Sequence, residues 1–137
     1  MVAIVTAKQQ GLKIVLVEDS PLLRQLICSM IEELDGVHVV GHAEDERSAL
    51  EVMAQKQPDL AIVDLELRGG SGIGVLRALS TEPERYGSPQ AVVFSNHAHA
   101  SVRARCEALG VGAFFDKSFQ MDELIEYIQS AAAAAPH

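Results

Sequence analysis

The sequence predicts a doubly wound α/β domain, a parallel five-stranded sheet in the order 2-1-3-4-5 with helices on both faces. Three observations predict it. Five short apolar runs alternate with segments of helical period along 137 residues, a length that fits one domain. The first run is continuous and apolar apart from Lys13, as suits a strand buried on both faces, whereas the second is polar enough for a sheet edge. Four of the five runs end in a charged or hydroxyl residue, and the doubly wound order opens its crevice at those strand ends.

"LKIVLV" (12–17) is the first strand, β-branched and flanked by polar residues. "SPLLRQLICSMIEELDG" (20–36) is a helix with Ser20 as N-cap and Pro21 at the first helical position. Its apolar residues Leu22, Leu23, Leu26, Ile27, Met30, Ile31 and Leu34 recur at helical spacing, and Gly36 is expected to stop it. "VHVVG" (37–41) is the edge strand, and "DERSALEVMAQKQ" (45–57) a helix capped by Asp45. "DLAIVDL" (59–65) is the third strand, with Pro58 helping to end the helix before it. "GIGVLRALS" (72–80) is a short helix, and "TEPERYGSPQ" (81–90) reads as a polar loop. "AVVFS" (91–95) is the fourth strand and "HASVRARCEALG" (99–110) the helix after it. "GAFFDK" (112–117) is the fifth strand and "FQMDELIEYIQSAAAA" (119–134) the last helix. Residues 1–10 are expected to form an N-terminal extension, 11–130 the domain, and 131–137 a tail continuing the last helix.

Composition excludes several classes. Apolar residues make up 48% and charged residues 22%, ordinary for a globular domain. The net charge of −8, with no run of Lys or Arg, argues against direct nucleic-acid binding. No apolar run approaches the ~20 residues of a membrane span, and the start is a poor secretory signal, so a cytoplasmic location is expected. Cys28 and Cys106 lack metal-ligand spacing and read as small buried thiols. His97 and His99 alone are too few ligands for a metal.

The strand ends carry the chemistry. Strand one ends in Glu18 and Asp19, strand three in Asp64, strand four in Ser95 and strand five in Lys117. Like charges ~4 Å apart at an effective dielectric near 20 repel by about 4 kcal/mol, so three gathered carboxylates call for a cation. Magnesium takes oxygen ligands from carboxylates and often a phosphate oxygen as well. With Lys117 as a cation and Ser95 as a donor, the set suits a phosphoryl group on Asp64, a carboxylate nucleophile. The stretch "DLELRGGSGIGVLRAL" (64–79) looks at first like a phosphate-cradling loop. A dinucleotide fingerprint there needs glycines at 70, 72 and 75, but position 75 is Val, and no Gly-Lys-Ser/Thr follows for a P-loop. The glycines therefore read as a turn and a helix start beside a reactive Asp64.

The acidic pair in "VLVEDS", the aspartate in "IVDLELRGGSG", the serine in "VVFSN" and the lysine in "FFDKS" together resemble the receiver domains of bacterial two-component response regulators, over about residues 11–130. The resemblance implies a flavodoxin-like (βα)5 fold. It implies that Asp64 accepts a phosphoryl group from a histidine of a kinase or phosphotransfer protein. Asp19 would bind Mg2+ directly, Glu18 mostly through water, and the backbone carbonyl of Glu66 would complete the protein ligands with Asp64. Lys117 would pair with a phosphoryl oxygen, and Ser95 would swing toward it. Phe114 sits where receivers carry the switch aromatic. The output surface would be the fourth helix, fifth strand and fifth helix, read by a separate effector or by an output domain beyond this chain. The resemblance leaves a homodimer open.

Departures from the family pattern are Ser118 in place of a cis proline, Arg68 where Pro is common, and Asn96 where a small residue is usual. A trans bond is expected at Ser118, since cis without Pro costs several kcal/mol. A phosphorylation switch competes with two readings from other classes: a magnesium-dependent phosphohydrolase, for which Glu66 is the sole acid/base candidate, and a scaffold that works without phosphorylation. Glu66, Asn96 and His97 would flank the phosphoryl group, and Glu66 and His97 border the path of attacking water. Glu66→Asn and His97→Ala are expected to change the dephosphorylation rate by more than about twofold; rates closer than that to the parent for both would remove the idea.

Overall fold

The computed structural model describes residues 11–96 and 99–134. The extension expected over 1–10, His97 and the end of the tail lie outside the described residues. The elements run β1 (Leu12–Val17), α1 (Pro21–Glu32), β2 (Val37–Ala43), α2 (Glu46–Lys56), β3 (Leu60–Val63), α3 (Gly72–Thr81), β4 (Gln90–Ser95), α4 (Ala100–Ala108), β5 (Ala113–Asp116) and α5 (Met121–Ala134). The strands pair in parallel in the order β2-β1-β3-β4-β5, as the sequence predicts.

Strand residues alternate between two cores. Ile14, Leu16, Ile62 and Phe94 face Ile27 and Ile31 of α1 and Leu124 and Ile128 of α5. Val15, Val17, Val63 and Val93 face Met53 of α2, Leu76 of α3 and Cys106 of α4. Burial on both faces explains the unbroken apolar runs over 14–17 of β1, 60–63 of β3 and 91–94 of β4. The edge strand β2 is more exposed and runs two residues past the expected stop at 41, to Ala43. Its register with β1 shifts between Ile14 and Val15.

The local caps form as read. The Ser20 hydroxyl accepts from the Leu23 N–H at 3.3 Å, and the Asp45 carboxylate from the Ser48 N–H at 2.7 Å. α3 has a cap that the sequence reading did not include, Ser71, whose Oγ accepts from the Gly74 N–H at 3.1 Å.

Five expectations need correction. α1 ends at Glu32, and Gly36, at φ +73°, turns the chain into β2 rather than stopping the helix. The apolar stripe of α1 is wider than its contact with sheet and α5, so Leu22 is 79% and Leu26 52% exposed. Cys28 is only half-buried, unlike Cys106. The loop 81–90 contains a 3-10 turn, Pro83–Tyr86, and it buries Tyr86 against the core. α5 starts two residues late. Asp116 Oδ1 accepts from the Ser118 N–H at 2.7 Å, and Gln120 Oε1 from the Asp116 N–H at 2.8 Å, which closes a turn before the helix. No described peptide bond is cis, so Ser118 follows a trans bond as expected.

α3 begins hard against the end of β3. The Gly72 N–H donates to the Leu65 carbonyl at 3.0 Å, and a Cβ on Gly72 would lie 2.1 Å from the Asp64 carbonyl oxygen. Backbone cannot give way there. Gly72→Ala is therefore expected to cost about 2–4 kcal/mol in urea unfolding, although alanine favours a helix by about 1 kcal/mol.

Candidate phosphoryl and metal site

Four strand ends converge at one rim. Glu18 and Asp19 follow β1, Asp64 follows β3, Ser95 closes β4 and Lys117 follows β5. Glu18, Asp64 and Ser95 are buried, and Asp19 is half-buried. One carboxylate oxygen each from Glu18, Asp19 and Asp64 lie within 4.8 Å of one another. The Lys117 ammonium bridges two of them, 2.6 Å from Asp64 Oδ2 and 2.7 Å from Glu18 Oε1.

Each carboxylate is also fixed by a backbone donor. Asp64 Oδ1 accepts from the Glu66 N–H at 3.2 Å, and Glu18 Oε2 from the Ser20 N–H at 3.0 Å. Arg24, one turn into α1, donates to the Glu18 carbonyl at 2.9 Å and lies 3.7 Å from Glu44. Arg24 is not among the residues that the sequence singled out: a lone cation on a helix gives no sign of the backbone carbonyl it holds six residues back. The Lys117 N–H donates to the Ser95 carbonyl at 3.2 Å, which continues the β4–β5 ladder past Asp116 and fixes the lysine backbone at the rim. Ser118 Oγ donates to Asn96 Oδ1 at 3.3 Å and ties the loops after β4 and β5 together.

The electrostatics follow from burial. Desolvation pushes the Glu18 carboxyl above the ordinary glutamate range; Lys117 and the Ser20 N–H pull it back only in part, and Asp64 adds to the rise. Burial opposes the charge on Lys117, but Asp64 and then Glu18 outweigh it and hold the ammonium above its ordinary value. Ser95 Oγ is buried and has no hydrogen-bond partner among the described residues. Such an orphan hydroxyl is rare and marks a place for an acceptor from outside.

Phe114 is half-buried on β5, and the Arg103 guanidinium of α4 stacks 4.3 Å from its ring centroid. Glu66 and Asn96 are exposed at the rim. The structure thus brings Glu18, Asp19, Asp64 and Lys117 together directly. The acidic cluster fits a hard cation that takes oxygen ligands and keeps several waters, as Mg2+ does.

This chain belongs to the response regulator receiver domain family, which it matches over residues 14–129. It is a phospho-accepting signalling domain whose acidic cluster is a candidate site for Mg2+ and aspartyl phosphorylation. Family membership supports interaction with a histidine kinase or phosphotransfer partner. A protein-glutamate methylesterase/protein-glutamine glutaminase of Symbiobacterium thermophilum is 32% identical over 139 aligned positions, covering 93% of this chain and 37% of that protein. The chain thus spans about a third of the length of that curated relative. Among solved structures, the receiver domain of the response regulator NarL from Mycobacterium tuberculosis superposes with a TM-score of 0.80 at 23% identity, covering 91% of this chain and 98% of that one. The response regulator domain of Thermotoga maritima CheB superposes with a TM-score of 0.79 at 22% identity, covering 92% and 99%. No described helix is long and apolar enough to cross a membrane.

Removing the cation from this rim leaves buried charges uncompensated. Lys117→Met is expected to lower stability in EDTA by about 3–5 kcal/mol, with part restored by Mg2+ binding to the native state. Glu18 gives a pH signature. A carboxyl raised in the folded state contributes stability that is present at acid pH and lost as pH rises through the raised value. The parent without metal should therefore gain on Glu18→Gln as pH is lowered from about 7 toward 5 in thermal unfolding.

Proposed function

We propose that Asp64 is the phospho-acceptor of this receiver. A carboxylate oxygen of Asp64 attacks the phosphorus of a phosphohistidine on the partner kinase or phosphotransfer protein. The P–O bond forms as the P–N bond breaks, and the departing imidazole keeps the electron pair and takes a proton from solvent. Glu18, Asp19, Asp64 and the Glu66 backbone carbonyl would hold Mg2+. When bound, Mg2+ supplies positive charge to the phosphoryl oxygens. Lys117, already on Asp64 Oδ2, moves to a phosphoryl oxygen, and the Ser95 hydroxyl donates to another.

The observation that carries this reading is the part-buried Asp64–Lys117 contact at the rim where Ser95 offers a buried hydroxyl that has no partner among the described residues. Phosphorylation adds nearly two negative charges and new acceptors, which redraws the pairing at the rim. Phe114 then follows Ser95, and the face of α4, β5 and α5 changes population toward the form an effector binds. The likeness to protein-glutamate methylesterases supports an effector with its own enzymatic activity, on this or another polypeptide. The acidic cluster and Lys117 weigh against a scaffold that ignores phosphorylation, and so would loss of effector binding in Asp64→Asn.

Incubation with Mg2+ and acetyl phosphate, followed by intact mass, tests the acceptor. A gain of a single phosphoryl group that Asp64→Ala abolishes is expected; the same gain in Asp64→Ala overturns the assignment.

A further inference from the structure

We propose that Glu46 is a positioning residue: its carboxylate braces the loop between β3 and α3, and so holds the Glu66 backbone carbonyl for the cation. The inference rests on the metal reading above. Glu46 opens α2, yet it bonds the loop at two points. Its N–H donates to the Gly69 carbonyl and its Oε1 accepts from the Ser71 N–H, each at 3.0 Å. Ser71 in turn caps α3 and pairs antiparallel with Glu66. The loop thus doubles back, with Glu66 on one limb and the residue held by Glu46 on the other.

The glycines explain how the carboxylate fits. A Cβ on Gly74 would lie 2.3 Å from Glu46 Oε1, and one on Gly70 2.6 Å from the same atom. The carboxylate fills room that two side chains would otherwise take. Gly70 and Gly74 of "RGGSGIG", which fits neither nucleotide-loop pattern, accommodate an anion of the protein itself. That anion lies by the first turn of α3, where the helix dipole favours negative charge.

Without the brace, Gly69 and Gly70 leave the loop free to sample other conformations. The Glu66 carbonyl then loses its fixed direction. Mg2+ demands near-octahedral oxygen geometry, so it responds to that loss. Removing residues that orient ligands typically costs about 10–100-fold in metal affinity.

The test combines Mg2+ titration by calorimetry with amide hydrogen exchange of the metal-free chain. Glu46→Ala is expected to weaken Mg2+ binding about tenfold and to speed exchange of the Ser71 amide. Glu46→Gln keeps an acceptor oxygen and should recover most of both. Gly74→Ala should expel the flexible carboxylate and reproduce the weakening, although alanine is the better helix former. In the Glu46→Ala background, Gly74→Ala should add nothing. Mg2+ affinity within about twofold of the parent for both Glu46→Ala and Gly74→Ala would overturn the proposal, since neither effect would reach the ligands. Failure of the metal reading looks different: the parent itself takes up no Mg2+, or binds it unchanged after Asp64→Asn, and either result sinks both readings.

Discussion

A single ammonium holds the rim together. Lys117 contacts two buried carboxylates at once, at 2.6 and 2.7 Å, while the third, on Asp19, keeps partial access to solvent. Repulsion between like charges ~4 Å apart is about 4 kcal/mol at an effective dielectric near 20. That is a large part of the roughly 5–15 kcal/mol that holds a domain folded. The rim therefore exists only with a cation in it, from the chain or from solution. β5 lies two strand spacings from β3, about 10 Å, beyond the reach of a lysine stem from the end of β5 alone. The Lys117 N–H bonds the Ser95 carbonyl as the ladder continues past Asp116, and the side chains of Lys117 and Asp64, reaching toward each other, span the distance.

How much of this the sequence carried depends on distance along the chain. Caps at Ser20 and Asp45 were legible because donor and acceptor are three residues apart. The strand-end residues were legible because the sheet order maps scattered positions onto one edge. Glu46 and Ser71 were not, since their contact spans 25 residues and depends on how α2 packs beside the loop. The glycines gave half the message: they announced close approach, but not that a carboxylate was what approached. Periodicity likewise marked Leu22 and Leu26 as apolar without saying that α1 rests on too narrow a base to bury them.

The same division explains why the site was clearer than its supports. Residues that touch a phosphoryl group or cation must be of particular types, so their identity shows in sequence. Residues that aim them need only offer one hydrogen bond at the right place. Arg24, holding the Glu18 carbonyl, and Glu46, holding Ser71, are ordinary surface charges until the backbone is known.

The buried Ser95 hydroxyl, without a partner among the described residues, sets the scale of the proposed switch. A hydrogen bond to a charged acceptor is worth about 1.5–3 kcal/mol, whereas moving a two-state equilibrium from 1:99 to 99:1 takes about 5.5 kcal/mol. Satisfying Ser95 alone falls short. Re-pairing Lys117 with the phosphoryl group must supply much of the difference, because its contacts with Asp64 and Glu18 are largely shielded from solvent and close the resting rim. Against both stands the Arg103 guanidinium over Phe114, worth about 0.5–1 kcal/mol where it is exposed, which favours the resting ring position. The Ser95 bond alone outweighs that opposition, and the larger shift needs Lys117 as well; both can serve one phosphoryl group because β4 and β5 are neighbouring strands that end at a single sheet edge.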